Sequence, residues 1–452
     1  MKKNELIPLK LEAFKTLNRT YGHYEHIPIY VKGGMPGQTV SAQIKRVRGN
    51  ACEAIIKETI CPADYETAPP CPQFGHCGGC AFLTMPYEMQ LKHKENYILS
   101  LFESLNTSSA QYDGIFASPD ITAYRNKMEF AFGSTTKGGP LCLGLHRKGS
   151  FYDILSAEDC VLVDADFRTL VKSVQKHCTE MGYSYYHRKA HTGLLRHLVL
   201  RRGVFTNQLL VNIVTSSQVP FDVDAFLNTV RTLDLKAEIK GVLHTVNDTV
   251  SDAIIPENVQ LLDGDDFLTE KCLDKTFDIS AFSFYQTNSA ACEILYSVVM
   301  RMLEGVQARL LLDLYCGTGT IAQMLAEQAE EVIGVEIVPE AVEAAKQNAL
   351  RNGIFNCTFV ADDVLAYLRT CEVSPDVVVL DPPRAGLNPK ALKHIIAFEA
   401  PNVLYVSCNP NALASDLTAF LEAGYTVQRL AIADMFPHTP HVETVVLLSH
   451  TN

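Results

Sequence analysis

Residues 403–412 read VLYVSCNPNA, a β-branched run that carries the thiol of Cys408 to a strand tip and breaks at once into Asn-Pro-Asn. Asn409 suits a helix N-cap and Pro410 a first helical residue, so the thiol should face a helix N-terminus. The positive end of that dipole favours thiolate. An isolated cysteine is more often a small core residue, so its neighbours must decide. Downstream, DMFPHTPHVETVVLL sets Asp434, His438, His441 and Glu443 within ten residues, four candidates for a general base. A thiolate paired with a base suits a ring carbon too unreactive to take a methyl group directly, such as C5 of uracil. Sulfur adds to C6, C5 attacks the methyl, and the base then takes the C5 proton so that sulfur can leave. Chemistry alone does not choose among the four bases.

Other strand ends carry polar tips. LDLYCGTGT (312–320) gives a tight Gly-x-Gly turn but lacks the third glycine of the dinucleotide fingerprint. Glu336 ends the following strand, 23 residues past Asp313, where a carboxylate can accept both hydroxyls of a ribose. Asp363 ends the third strand, in reach of an adenine amino group, and Asp381 opens DPPR after the fourth. Singly, each reads as a solvated loop residue. Together, at the carboxyl ends of successive strands, they outline a ligand crevice. A crevice lined by acids, with no Lys or Arg in the glycine turn, suits a cationic sulfonium. The expected cofactor is S-adenosylmethionine rather than NAD.

The elements that must position these groups follow from the apolar pattern. From 280 onward, LLLDLY, VIGVEI, CTFVADD, VVVLDPP and VLYVSCNP alternate with helical stretches at 289–304, 319–328, 339–352, 389–398 and 411–423. Five βα units in a row predict a doubly wound α/β sheet. Two last strands, near 425–433 and 442–449, should close it as an antiparallel edge hairpin, the usual outline of a Rossmann-like S-adenosylmethionine-dependent methyltransferase domain. The chain of 452 residues is too long for one core. Residues 1–60, with short strands broken at KGGMPGQ, predict a small OB-like β-barrel. Residues 61–275 predict a central α+β domain, whose helix at 86–105 is free to pack on the catalytic domain of 276–452.

The net charge of −12 speaks against a protein that simply coats nucleic acid. Residues 1–60 nevertheless hold ten Lys and Arg against five Glu, a basic head on an acidic body. No apolar run is long enough for a membrane span, and the start has no apolar signal core. Fourteen cysteines without such a signal point to reduced thiols, metal or catalysis, and a cytoplasmic location is expected.

SCNP, DMFPHTPHVE and DPPRAG together resemble the RNA uracil-5-methyltransferase family, and the likeness runs over nearly the whole chain. The resemblance implies Cys408 as nucleophile and Glu443 as proton acceptor. It implies cofactor contacts at Gln286 (FYQTN), Tyr315 (DLYCG), Glu336, Asp363 and Asp381. No contact is carried over to Thr320, where some members have Asn. The N-terminal segment with GMPGQTV resembles the RNA-binding TRAM domain. The implied product is 5-methyluridine in RNA, with ribosomal RNA expected as the substrate and transfer RNA as the alternative, and a monomer is expected.

CPQFGHCGGC places Cys71, Cys77 and Cys80 in a Pro/Gly-rich loop that could wrap a metal. A fourth ligand must come from elsewhere, Cys160 in SAEDCVL or the nearer Cys61. Family members with this spacing carry a [4Fe-4S] cluster with the fourth ligand at the position of Cys160; zinc is the alternative. Phosphate contacts are expected from Arg125, Lys127, Arg188, Lys189, Arg196, Arg201 and Arg202, and the target base should leave its stack. Two rivals remain. An amino-methyltransferase using DPPR would want an aromatic where Arg384 stands, and a non-catalytic iron–sulfur RNA sensor would have no use for the thiol, base and acids together.

Overall fold

The computed structural model describes residues 1–105, 107, 109–255 and 258–450. Strands from Leu6–Lys10 to Ala51–Cys61 form a six-stranded sheet in the order first, fifth, sixth, fourth, third, second. Alternation such as eBeBe at Leu6–Lys10 turns Ile7 and Leu9 onto an apolar core shared with Val31, Val40, Ala42 and Ile44. Among the described residues no ladder joins the first and second strands, the two ends of this order.

A seven-stranded sheet, largely antiparallel, spans Lys127–Gly133 to Asn258–Gly264. The helix Ala165–Glu180 covers it, burying Phe167, Leu170, Val171 and Val174 at helical spacing.

The catalytic sheet has eight strands: β1 (Gln111–Phe116), β2 (Ala308–Leu314), β3 (Ala329–Glu336), β4 (Cys357–Ala361), β5 (Val377–Leu380), β6 (Asn402–Ser407), β7 (Tyr425–Ala433) and β8 (Glu443–His450). Their order is β4-β3-β2-β5-β6-β8-β7-β1, with β4 through β6 parallel. Successive side chains serve opposite faces: Leu311, Val377 and Leu404 enter one core, and Leu312, Val378 and Val403 the other. That explains why these strands read as unbroken apolar runs. The chain order reverses between β2 and β5, which opens a crevice above their carboxyl ends.

The hairpin of β7 and β8 forms as expected but is not the edge. β1 pairs parallel with β7, so a strand from residues 111–116 covers it. Helix α1 (Tyr87–Ser104) precedes that strand and buries Ile98 and Phe102 against Leu413, Leu417 and Phe420. One further helix, Val364–Thr370, escaped the sequence pattern because its seven residues complete barely two turns.

Candidate active site

The crevice is built by the turn after β2, the loop after β5 and the segment before the helix Ser289–Met302. Its wall includes Tyr285, Gln286, Asp313, Tyr315, Gly317 and Asp381. The turn is demanding. Tyr315 holds φ 67°, a left-handed conformation costly for a side-chain-bearing residue, and Gly319 holds φ 71°. A Cβ on Gly319 would meet the Phe359 ring at 2.5 Å, so only glycine fits there.

Acid groups dominate. Asp313 is wholly buried, and among the described residues its carboxylate has no side-chain partner, only the backbone N–H of Ala322 acting on it. Burial, then the neighbouring Asp381 and Glu336, holds it well above the usual carboxylate range. Burial raises Asp381 to about 7. Glu336 braces the glycine turn, accepting from Gly317 N at 3.2 Å and Val338 N at 3.0 Å. A pocket this rich in strained acids is incomplete without a positive charge, and a sulfonium supplies one. The sequence reading passed over Asp313 as part of the glycine turn; its fully buried carboxylate, without a side-chain partner, marks it.

Three of the five expected cofactor contacts, Gln286, Tyr315 and Asp381, line the crevice. Glu336 lies one bond behind it, through Gly317. Asp363 stands apart: it is exposed, and its Oδ1 caps the helix Val364–Thr370 by accepting from Ala366 N at 3.0 Å. It is near enough to Tyr315 to raise that phenol.

Cys408 ends β6 half-buried, and the next helix, Pro410–Glu422, is capped by Asn409 as the sequence predicts. β6 pairs antiparallel with β8, with Ser407 opposite Thr444. Cys408 and Glu443 are the next residues at that end of the ladder, and Glu443 acts on the thiol electrostatically. The loop after β5 is tied in as well, since Asn409 Nδ2 donates to Arg384 O at 2.8 Å. Asp416 accepts from Leu387 N at 2.9 Å and Tyr405 Oη at 2.7 Å, anchoring the same loop.

The resting thiol is not the thiolate that its helix suggested. Burial, then Glu443 and Asp381, pushes it up to about 11, with Arg384 pulling the other way. Burial and Asp381 likewise hold Glu443 well above the usual range, again opposed by Arg384. Two acids and a thiol share one low-dielectric space and cannot all ionise until a cation joins them. Arg384 is thus the cationic neighbour of both Cys408 and Glu443, a role no spacing announced.

Of the four base candidates, two are committed elsewhere. Asp434 pairs with Lys94 at 2.7 Å, both side chains wholly buried. His438 is tied to Gln90, its backbone N donating to Oε1 at 2.8 Å. His441 is held down to about 4 by burial, Arg384 and Lys94. Glu443 is the one of the four that acts electrostatically on the thiol.

Comparison with known proteins agrees with this geometry. Residues 265–451 match the tRNA (uracil-5-)-methyltransferase family profile. An uncharacterized RNA methyltransferase of Clostridium acetobutylicum is 43% identical over 448 residues, 99% of this chain and 98% of its own length. Another, from Clostridium tetani, is 41% identical over 446 residues, 99% of this chain and 98% of its own. The crystal structure of Pyrococcus abyssi tRNA (uracil-54, C5)-methyltransferase in complex with S-adenosyl-L-homocysteine superposes with a TM-score of 0.75 at 25% identity. It covers 98% of this chain and 100% of that one. The chain belongs to the RNA uracil-5-methyltransferase family.

In this methyltransferase the cysteine loop lies close to the catalytic domain. Cys71, Cys77, Cys80 and Cys160 act on one another electrostatically. Burial, then the other three, pushes Cys80 up to about 12. Cys61, the rival fourth ligand, is exposed at the end of its strand. N–H groups of Gly78 and Gly79 face the sulfur of Cys77, and those of Leu162 and Val163 face Cys160. Among the described residues no three His, Cys, Asp or Glu side chains converge to hold a single metal ion.

Several arginines expected to grip phosphate are structural instead. Arg201 is 2% exposed and donates to Ser280 O. Arg196 donates to Asn247 O and Thr249 O, both at 2.7 Å, and lies over the Tyr186 ring. Arg202 pairs with Asp164 and Asp166, and Arg188 with Asp252. Lys127 pairs with Glu129 at 2.9 Å, whereas Lys189 sits over Tyr152 at 4.7 Å. Arg125 contributes only a long contact to Lys127 O at 3.5 Å. No helix among the described residues is long and apolar enough to cross a membrane.

Proposed function

We propose that the enzyme methylates C5 of a uridine in RNA through a transient Cys408–C6 bond, with Glu443 taking the C5 proton. The observation that carries this reading is the placement of Cys408 and Glu443 at the same end of the β6–β8 ladder, within electrostatic reach of each other and of Asp381 in the crevice wall. S-adenosylmethionine supplies the methyl group as a sulfonium, and the buried carboxylate of Asp313 with Asp381 fits its charge. Gln286, Tyr315 and Glu336 would hold the rest of that molecule, whereas Asp363 would act only from outside the crevice wall.

Added positive charge lowers the pKa of both Cys408 and Glu443, so thiol and carboxyl each give up a proton to solvent before sulfur attacks. Sulfur then bonds to C6, and the C5–C6 electrons move into the ring as an enolate. C5 uses that pair to bond to the methyl carbon, whose bond to sulfur breaks with its electron pair returning to sulfur, so that S-adenosylhomocysteine leaves as a neutral thioether. Glu443 next takes the C5 proton; the C5–H pair restores the double bond as the C6–S bond breaks and Cys408 leaves as thiolate. Arg384 balances whichever of the two is charged.

Because Asp381 titrates near 7, it is neutral below that pH and negative above it. Sulfonium affinity should therefore rise with pH through 7, up to about tenfold per unit. Calorimetry at pH 6 and 8 tests this, and Asp381→Asn should flatten the slope. An affinity that is pH-independent in the unaltered protein removes Asp381 from the charge balance.

The four thiols favour a [4Fe-4S] cluster over zinc. They share one electrostatic field and meet inward N–H groups, and the spacing of Cys71, Cys77 and Cys80 resembles that of family members that hold such a cluster. Cys71, Cys77, Cys80 and Cys160 would hold it as a structural support. Anaerobic purification should give brown protein with iron and sulfide, both lost in Cys160→Ser; a colourless, zinc-rich preparation contradicts the assignment.

Ribosomal RNA is the substrate class proposed from the sequence, while the relative of known specificity acts on uracil-54 of transfer RNA. Mapping 5-methyluridine in both RNAs from a strain lacking this protein decides between them. Loss confined to transfer RNA overturns the ribosomal assignment.

A further inference from the structure

Glu443 opens β8 at the end of a nine-residue connection, 434–442, that has almost no regular structure and yet is buried. Asp434, Met435, His438, Thr439 and Val442 are each 5% exposed or less. A buried loop must find partners for its backbone, and here they come from far away in the chain. Lys94, on α1, donates to Asp434 Oδ1 at 2.7 Å and to Phe436 O at 3.2 Å. Gln90, one turn earlier, accepts from His438 N at 2.8 Å while its amide donates to Met85 O at 2.8 Å and Phe82 O at 3.1 Å. The same amide lies 3.1 Å from His438 Nδ1. His438 carries φ 66°, so the loop turns sharply at the residue Gln90 holds.

The latch continues on both sides. Ala81 N and Phe82 N donate to His438 O at 2.8 and 3.0 Å, directly after Cys80. Tyr124 Oη donates to Pro437 O at 3.0 Å, and Asn288 Nδ2 to Met435 O at 3.0 Å. These contacts reach the loop on the stretch before Glu443. Lys94 and Asp434 are both at 0% exposure, and a charge pair so placed is costly to desolvate. Its best-attested use is to fix one register against its neighbours, and a catalytic group misplaced by about 1 Å can lose ~10²-fold in rate.

We propose that Lys94 and Gln90 are positioning residues for the proton-removal step, holding the 434–442 loop so that the Glu443 carboxylate meets the C5 proton. Neither touches the reacting atoms. The inference rests on Glu443 being the base. It assigns to α1, outside the parallel sheet, control over the second half of the reaction. Sulfur addition and methyl transfer depend on β6 and the crevice, to which Lys94 and Gln90 make no hydrogen bond. Weakening it should therefore slow elimination more than methylation.

Single-turnover reactions with natural RNA and radiolabelled S-adenosylmethionine separate the two steps, because label first enters a denaturation-stable protein–RNA adduct and then free RNA. Lys94→Met combined with Asp434→Leu removes both charges together, so no lone ion is buried. Expected is release of product slowed at least ~10-fold more than label incorporation, with methylated adduct accumulating and Lys94 restored alone failing to rescue. Gln90→Glu, which keeps the acceptor for His438 N and loses the amide donors, should shift the same ratio in a chain whose charge pair is intact. If the double variant does not fold, Gln90→Glu decides. Equal slowing of both steps, or no change in their ratio, in the folded variant overturns the positioning role. Glu443→Gln is the reference: if it accumulates no adduct, the base assignment itself has failed rather than the latch.

Discussion

Cys408→Ala removes methyl transfer, with turnover expected to fall by at least ~10⁴-fold while the fold and cofactor binding persist. The size of the effect follows from the chemistry of the ring. C5 of uracil has too little electron density to displace a methyl group until a nucleophile adds at C6. Neither chain neighbour of Cys408 offers one: Ser407 and Asn409 carry a hydroxyl and an amide, and Ser407 Oγ is already hydrogen-bonded to Asn409 N and O. Cys408 is half-buried and packs into no apolar cluster, so truncation to alanine opens no core cavity. Calorimetric titration with S-adenosylmethionine should give an unchanged affinity. Loss of binding together with activity would mean that the residue supports the crevice rather than the reaction.

Glu443→Gln separates the halves of the cycle. The glutamine keeps the volume of the buried side chain but cannot accept the proton, so methylation proceeds and elimination stalls. Release is expected to slow by roughly 10²–10⁴-fold, the usual contribution of a positioned general base. The visible outcome is a methylated protein–RNA adduct on natural RNA that survives denaturation. Removing a carboxyl group whose ionisation is opposed by burial and Asp381 also relieves an electrostatic cost. The thermal midpoint should therefore hold or rise above pH 7. A variant that turns over at the normal rate would pass the role to His441, the remaining uncommitted group of the loop.

The chemistry was the most legible part of the sequence because it sits where strands end. A run of apolar residues closed by a polar one marks the carboxyl edge of a parallel strand, and that edge is where doubly wound sheets bind. Cys408, Asp381 and the glycine turn were all visible on that basis. Asp363 shows that such an acid can have a second duty, since its Oδ1 also caps the following helix. Asp313 was hidden inside a recognisable turn, and Arg384 was read only for the aromatic it replaced.

Long-range partners were not legible. Lys94 lies 340 positions before Asp434, and on α1 a lysine looks like part of a solvated face until the partner helix is known. The basic strand at 195–203 misled for a related reason. An arginine that binds backbone carbonyls, as Arg196 does, has the same sequence signature as one that binds phosphate. The covering strand β1 was missed because QYDGIF alternates poorly and carries a glycine. Local patterns report periodicity, whereas these features depend on what another segment contributes.

The most direct test of the account is to trap the enzyme on RNA bearing 5-fluorouridine at the target, with S-adenosylmethionine present, and to locate the bond by peptide mass spectrometry. Fluorine cannot be removed as a proton is, so elimination halts after methyl transfer. The account predicts one modified peptide, containing Cys408 joined to a nucleotide that carries both fluorine and the new methyl group. Methylated RNA released with no adduct, or an adduct on a different cysteine such as Cys316, contradicts it.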